Sequence, residues 1–368
     1  LVSIPYNAAI IAHERMQAFA YISIIEVVLK LLIVYILTIF AFDKLKLYGI
    51  LLLAVACIIR ITYGFYCKRN FKECTYHFTF DKTLLKEMTG FAGWNFIGSL
   101  AGVLRDQGVN IVINLFCGPV INAARAIAFQ VNIAVNGFAA NFMTAINPQI
   151  TKSYASGDYP YMLALIRNGA RFSFYLLLLL SLPIIIETNT ILTLWLKNVP
   201  EYTAVFVRLV LIFAMCEALS GTQITALQAT GNIRNYQLVV GTIQILNFPI
   251  SYLLLDRGHA PETTIYVAIC LSLGCLFARL WFLHRQVEIS MKSFFTQVLL
   301  NVCSVAVLAI CPMIVTRLMN AGILRLFVVS GVCAVTTLIV IYYVGLSFQE
   351  RIFVQKKIIA RIKQKCSV

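Results

Sequence analysis

Polar side chains and one glycine form a stripe along an otherwise apolar stretch of the chain between Thr89 and Cys117. They recur every three or four residues, which places them on one face of a predicted helix: Asn95, Ser99, Gly102, Asp106, Asn110 and Asn114. Arg105 stands beside Asp106 at the middle of the stretch. Amides bind hydroxyl groups, whereas a guanidinium pairs with phosphates or carboxylates. Charges at membrane depth cost at least about 2.5 kcal/mol each, so this stripe is expected to face a cavity or another helix.

A second apolar helix is predicted over 122–146, directly after the turn signal Gly118-Pro119. It carries a matching set of polar side chains, namely Asn122, Arg125, Gln130, Asn132 and Asn136. Adjacent residues on a helix point about 100° apart, so Arg105 and Asp106 are expected to face different partners. Gly98 and Gly102 predict close approach by another helix. The two helices together indicate a polar-lined hairpin within the membrane, which favours a substrate path.

The composition identifies the class of protein. Of the 368 residues 60% are hydrophobic and only 12% are charged, and the mean hydropathy is +0.85. A soluble domain carries about 25% charged residues, so the sequence predicts an all-α polytopic membrane protein. A net charge of +15 would suit a protein that binds nucleic acid, but the lysines and arginines of this chain lie mainly in short loops between apolar spans. No nucleic-acid partner, metal site, catalytic cluster or signal peptide is predicted.

Hydropathy predicts ten complete transmembrane spans after an opening half-helix. The predicted spans are 17–41, 47–66, 89–117, 120–146, 168–187, 203–227, 235–255, 263–283, 295–315 and 324–346. Lys and Arg are concentrated in alternate connections, nineteen in one set and six in the other. The first set comprises 13–16, 67–88, 147–171, 229–236, 279–293 and 347–368. The excess predicts that this set, and with it the C-terminus, is cytoplasmic.

Five cations and three acids lie within the predicted spans, and they are Lys30, Arg60, Arg105, Arg125, Arg208, Glu26, Asp106 and Glu217. Glu26 and Lys30 have the spacing of a local ion pair. The three carboxylates are the candidates for ion coupling, although Glu217 fits a hydrogen bond equally well. Arg125 is predicted either to line a cavity or to extend to the outer surface.

The longest polar interval between spans, 67–88, is predicted to be a cytoplasmic linker between two helical bundles. Residues 347–368 have isoleucines on one side and cations on the other, which predicts a basic amphipathic helix on the inner leaflet or a solvated tail. The chain begins with what is interpreted as the end of a helix, which predicts an N-terminally truncated sequence.

Several stretches resemble the bacterial polysaccharide exporters. They include "IPYNAAIIAHERMQAFAYISIIEVVLKLL" at 4–32, "GFAGWNFIGSLAG" and "NFMTAINPQITKSYASGD" around the polar hairpin, and "ALQATGNIRNYQ" at 226–237. The resemblance is to the multidrug/oligosaccharidyl-lipid/polysaccharide exporter superfamily, of the O-antigen flippase type. It implies a MATE-like bundle of two lobes. Residues 1–66 would end the first lobe, 89–285 would form the six-helix second lobe, and 286–346 would be an extra helix pair.

The function that this resemblance implies is translocation of a polyprenyl-pyrophosphate-linked oligosaccharide across the bacterial plasma membrane for O-antigen or capsule synthesis. Arg105 and Arg125 would meet the pyrophosphate, with Lys30 as a further candidate. Asn95, Asn110, Asn114, Gln130, Asn132 and Asn136 would meet the sugars. No cofactor is implied, and coupling to protons or sodium ions stays open. The expected partners are this substrate, membrane lipids and other polysaccharide assembly proteins.

Two alternatives remain. A cation-coupled MATE-type exporter of drugs or metabolites would need an acid-rich cavity, whereas cations outnumber acids within these spans. A membrane polysaccharide polymerase or ligase would need a long outer loop with catalytic Arg, His or Asp residues, and the predicted outer loops are short. The sequence therefore favours a transporter over an enzyme.

Overall fold

A computed structural model describes residues 4–13, 15–39, 43–74, 81–196, 198–314, 319–320, 322–353 and 355–356. Over these residues the chain is helical and contains no strand. It divides into two compact units, Leu1–Leu85 (unit 1) and Lys86–Val368 (unit 2). The division falls inside the 67–88 interval, whose role as a linker stays a prediction.

Among the described residues, nine helical stretches are long and apolar enough to cross a membrane. They are Gln17–Leu37, Lys44–Asn70, Lys82–Ala155, Tyr159–Ile186, Thr203–Ala229, Arg234–Asp256, Thr263–Val287, Met291–Ile314 and Ile323–Gly345. Helices satisfy their backbone hydrogen bonds internally, which the hydrocarbon interior of a bilayer requires. The prediction of an all-α, multi-pass membrane protein is confirmed at this level.

Unit 1 contains α1 (Ile4–Ala12), α2 (Met16–Ile39), α3 (Lys44–Asn70) and a short 3₁₀ turn at Lys72–Cys74. Asp43 caps α3, because its carboxylate accepts from Leu45 N at 3.1 Å. The three helices pack around a small core that includes Ile10, Ile33 and Cys67.

At one end of unit 1 the ring of His13 stacks on Phe71, with 4.3 Å between the ring centroids. His13 also hydrogen-bonds the carboxylate of Glu73. A hydrogen bond from its own backbone, and then the bond from His13, lower the pKa of Glu73.

Helix α4 (Lys82–Ala155) starts in the last residues of unit 1, continues into unit 2 and is broken at Gly118. Gly118 has φ +82°, a left-handed conformation that glycine adopts without steric cost, and Pro119 starts the second segment. The two segments are called α4a (82–117) and α4b (119–155). Asn110 and Arg125 would lie about 22 Å apart along a straight helix, yet their side chains touch. The chain therefore folds back at Gly118, and the predicted hairpin turn is confirmed.

The centre of unit 2 is built from α5 (Tyr159–Ile186), α7 (Thr203–Ala218) and α11 (Thr263–Val287), which carry much of the buried apolar core. Shorter helices complete it: α6 (Thr188–Trp195), α8 (Gly221–Ala229), α9 (Arg234–Ile245) and α10 (Asn247–Asp256). Gly98 of α4a allows close approach by α9, since a Cβ there would lie 2.6 Å from Gln237 Cδ. The close helix approach predicted from Gly98 is confirmed.

Helix α5 begins nine residues before the predicted span 168–187. Asp158 caps it by accepting from Tyr161 N at 3.1 Å, and Pro160 fits its first turn. Arg167, predicted in the connection 147–171, therefore lies on a helix and not in a loop, as does Arg171, which falls in both that connection and the predicted span.

The last helices of unit 2 contain two π-helical segments. α12 (Met291–Phe294) leads into the π segment Phe295–Leu299 and then α13 (Leu300–Ala309). After a 3₁₀ turn at Cys311–Ile314, α14 (Ile323–Val340) leads into a second π segment, Ile341–Gly345. Residues 348–353 are again helical. Most of the predicted amphipathic tail, from 357 onward, lies outside the described residues.

Candidate functional site

The stripe on α4a and the polar residues of α4b meet at a recess inside unit 2. Asp106 and Arg125 line it from the hairpin, and Asn247 and Thr264 line it from α10 and α11. Apolar residues complete the wall: Val109, Phe129, Val210, Phe213, Ile265 and Ala268. The enclosed cavity measures about 10 Å³, room for about one water molecule. This conformation therefore holds the polar groups together with almost no space for a ligand.

Arg125 is buried on α4b, with 6% of its surface exposed. Its Nη1 donates to Asn110 Oδ1, and its guanidinium lies 4.5 Å from the centroid of the Phe129 ring. Its Nε is buried without a hydrogen-bond partner. Of the two predictions for Arg125, lining an internal recess is confirmed, and extension to the surface is wrong. Its role in substrate binding stays a prediction.

Arg105 and Asp106 form an ion pair. Arg105 Nε donates to Asp106 Oδ1 at 2.9 Å, and Nη2 donates to Oδ2 at 3.3 Å. The expectation that these neighbours face different partners is wrong, because the long arginine side chain curves back to the adjacent carboxylate. The guanidinium also lies 5.4 Å from the centroid of the Phe213 ring. Asp106 thus connects the two arginines, since it holds Arg105 and lines the recess with Arg125.

Asn95 lies nearer the start of α4a and belongs to a separate group of amides. Its Oδ1 accepts from Gln228 Nε2 at 3.2 Å and from Gln237 Nε2 at 3.3 Å. Its own amide donates to Phe91 O at 3.1 Å. These bonds join α4a to α8 and α9, which gives Asn95 an observed structural role.

The remaining predicted sugar-binding residues do not line the recess. Asn114 and Gln130 are exposed, whereas Asn132 and Asn136 are half-buried. Asn132 Oδ1 is buried without a hydrogen-bond partner. The structure therefore brings together Asp106, Asn110 and Arg125, with Arg105 beside them.

The three predicted coupling acids have different surroundings. Glu26 accepts from Lys30 Nζ at 2.6 Å in unit 1, which confirms the local ion pair. Glu217 Oε1 accepts from Ser272 Oγ at 2.5 Å, and its carboxylate acts electrostatically on Arg105. Asp106 is the one of the three that lines the recess. Around the recess two guanidiniums are thus balanced by two carboxylates.

Two ion pairs in unit 2 could not be predicted from the sequence. Arg325 Nη2 donates to Glu187 Oε2 at 2.9 Å, and Arg171 Nη2 donates to Glu350 Oε1 at 2.5 Å. Each joins the last helices to the α5 region across more than one hundred residues of sequence. Their partners all fall in or beside predicted loops, so the hydropathy pattern gives no signal for them.

Arg279 is counted in the predicted connection 279–293, although it also falls at the end of the predicted span 263–283. It lies on α11 with only 2% of its surface exposed, and its Nε and Nη1 are buried without hydrogen-bond partners. Among the described residues no group of three or more His, Cys, Asp or Glu side chains is placed to hold a metal ion.

Comparison with protein-family models gave no match, and comparison with curated proteins gave none either. The likeness to polysaccharide exporters therefore rests on the sequence stretches quoted above.

Proposed function

We propose that the protein translocates a polyprenyl-pyrophosphate-linked oligosaccharide across the bacterial plasma membrane, as part of a MATE-like fold with two lobes. The observation that carries the proposal is the recess with Arg105 and Arg125 beside it. Two guanidiniums within a membrane bundle are suited to a diphosphate, because each can donate two parallel hydrogen bonds to its oxygens. The polyprenyl chain would stay in lipid, and amides such as Asn110 would meet the sugars.

Asp106 competes with the substrate in this proposal. Its carboxylate is bonded to Arg105, so a pyrophosphate has to displace it in order to bind. When the Arg105–Asp106 pair forms again, it helps to expel the pyrophosphate after translocation. The recess has to open for this exchange, since it has room for about one water molecule.

The experiment is transport of a fluorescent lipid-linked oligosaccharide in vesicles that contain the purified protein, with membrane abundance measured in parallel. Arg105→Ala is expected to reduce transport to background, and Arg105→Lys to retain part of it, because charge survives without the bidentate geometry. Arg125→Lys is expected to behave like Arg105→Lys.

Arg208→Ala is the matched control. Arg208 is also an intramembrane arginine, but it donates to Ile185 O at 3.2 Å and does not line the recess. We expect Arg208→Ala to retain transport in proportion to its abundance. Normal transport by both Arg105→Ala and Arg125→Ala at normal abundance would contradict the proposed role of the recess.

A MATE-type exporter of cationic drugs or metabolites is the second candidate, and the observation in its favour is Asp106 at the recess. Asp106→Asn separates the two. A drug exporter that binds cations through this carboxylate would lose binding. A flippase would keep binding its lipid-linked substrate, because the neutral amide no longer competes with the pyrophosphate for Arg105.

A further inference from the structure

A polar crevice lies in unit 2 where α5 meets the segment that follows α14, around the Arg171–Glu350 pair. Its volume is about 520 Å³, within the range of small-molecule sites. It is lined mainly by polar side chains, including Arg167, Asn168, Arg171, Gln297, Asn301 and Glu350. Ser347 and Glu350 come two and five positions after the end of the apolar stretch Ile323–Gly345, so we infer that the crevice lies near the boundary of the membrane.

Both π-helical segments border this crevice. Gln297 lies in the first, and Leu346 follows the second directly. Side chains around the crevice bond the carbonyl groups at the end of the second π segment: Gly345 O accepts from Tyr175 Oη at 3.2 Å and from Arg171 Nη1 at 3.4 Å. Single π turns within α-helices occur often at functional sites. Two π turns beside one crevice indicate that the backbone geometry there serves a function in addition to helix packing.

Arg171 is the buried cation of the crevice. Only 7% of its surface is exposed, and its Nη2 donates to Asn168 Oδ1 at 2.9 Å and to Glu350 Oε1 at 2.5 Å. Its Nε is buried without a hydrogen-bond partner. A guanidinium has five donors, so an oxyanion with several acceptor oxygens would satisfy Arg171 more fully than the present contacts.

Arg167 supplies a second guanidinium one helical turn before Arg171. Its Nη1 donates to the neutral hydroxyl of Ser293 at 3.1 Å. Among the residues that line the crevice there are two arginines and a single carboxylate, that of Glu350. The crevice therefore carries an excess of positive charge. If Arg171 served only to pair with Glu350, the second arginine and the open space lined by amides would have no role.

Glu350 shows how an anion is held here. It belongs to a capping box, since Ser347 N donates to Glu350 Oε2 at 2.7 Å and Glu350 N donates to Ser347 Oγ at 3.4 Å. One carboxylate thus bonds both a helix N-terminus and Arg171. The guanidinium of Arg171 is the donor that a phosphate group would use in place of this carboxylate, because guanidiniums favour oxyanions.

We propose that this crevice is a phosphate-binding site, with Arg167 and Arg171 as its cationic ligands and Glu350 as an internal competitor. The phosphate would belong to the headgroup of an anionic membrane lipid or be free in solution. The site lies apart from the recess at Asp106 and does not depend on the proposed transport function.

Native mass spectrometry of the purified protein tests the site, with phosphatidylglycerol and inorganic phosphate as separate probes and diacylglycerol as the phosphate-free lipid. We expect phosphatidylglycerol, inorganic phosphate or both to bind, and the one that binds identifies the source. Arg167→Gln should weaken that binding roughly tenfold or more, the effect of losing one charge-assisted hydrogen bond. Glu350→Gln should strengthen it, because the competing charge is removed while a capping side chain remains.

Arg351→Gln is the matched control. Arg351 lies next to the competitor, but its guanidinium donates to the backbone carbonyls of Leu346 and Tyr343 and does not line the crevice. Its loss should change phosphate binding far less than the loss of Arg167. Equal weakening by Arg167→Gln and Arg351→Gln, or no binding of either phosphate probe, would overturn the proposal.

Discussion

Glu187 and Arg325 form the most buried ion pair among the described residues. The Glu187 side chain has no exposed surface, and Arg325 Nε lies 2.7 Å from Glu187 Oε1. Thr190 Oγ1 also donates to this carboxylate, at 2.7 Å. Removing one partner of a buried pair leaves an uncompensated charge, which costs about 3–5 kcal/mol. Arg325→Met is therefore expected to lower the thermal stability of the purified protein strongly.

The double variant Glu187→Leu/Arg325→Met removes both charges and is expected to recover most of the loss, because apolar replacement of a whole buried pair is often neutral. Arg257→Met is the control, since Arg257 is an exposed cation and its loss should leave the melting temperature almost unchanged. A melting temperature for Arg325→Met equal to that of Arg257→Met would show that the pair is unimportant for stability.

Side-chain pairs that depend on local spacing could be predicted from the sequence. Pairs between residues far apart in the chain could not. The Glu26–Lys30 pair follows from an i, i+4 spacing, and the structure contains it. Arg171 and Glu350 are 179 positions apart, and nothing in a single sequence joins them. The Arg105–Asp106 pair was missed for another reason, since helix geometry fixes the Cβ direction but not the end of a flexible arginine.

At the scale of elements, Gly169 determines how closely α5 and α8 pack. A Cβ at this position would lie 2.6 Å from Thr222 Cγ2, a short side chain that is fully buried and bonds Ile166 O at 2.9 Å. Gly169→Ala is expected to destabilise the protein by about 1–3 kcal/mol through overpacking, measured as a lower melting temperature in detergent.

Gly137→Ala provides the comparison on another helix. A Cβ at Gly137 would meet nothing within 4 Å, so alanine there should be neutral or stabilising by up to about 1 kcal/mol through its higher helix propensity. The packing argument fails if both alanine variants melt at the same temperature or if Gly169→Ala is the more stable of the two.

Helix positions were predicted well where hydropathy decides them, and poorly where polar residues continue a helix. The Gly118-Pro119 break is visible in the sequence because those two residue types disfavour an uninterrupted helix. The early start of α5 was not predicted because Arg167 interrupts the hydropathy just before the predicted span, and Arg171 was counted with the preceding connection. Their guanidiniums are bonded within the bundle, so the helix accommodates cations that a hydropathy scale assigns to water.

At the scale of the whole molecule, composition alone predicted the all-helical membrane class, since 60% hydrophobic residues cannot be enclosed in a soluble domain of this length. The orientation depends on fewer residues. Two arginines counted among the nineteen cytoplasmic cations, Arg171 and Arg279, are buried on helices. Without them the asymmetry is seventeen to six, so the prediction that the C-terminus is cytoplasmic stands on the remaining loop cations.

Cysteine labelling tests that orientation. In a version with the other cysteines replaced, Cys74 lies in the predicted cytoplasmic interval 67–88, whereas Val199→Cys lies in the predicted outer connection 187–202 and its side chain is exposed. A membrane-impermeant thiol reagent added to intact cells is expected to label Val199→Cys and not Cys74, because lysine and arginine in short loops are retained on the cytoplasmic side. Inverted membrane vesicles should give the opposite pattern. Labelling of Cys74 in intact cells would place the crevice at Arg171 and the tail that follows Glu350 on the outer side.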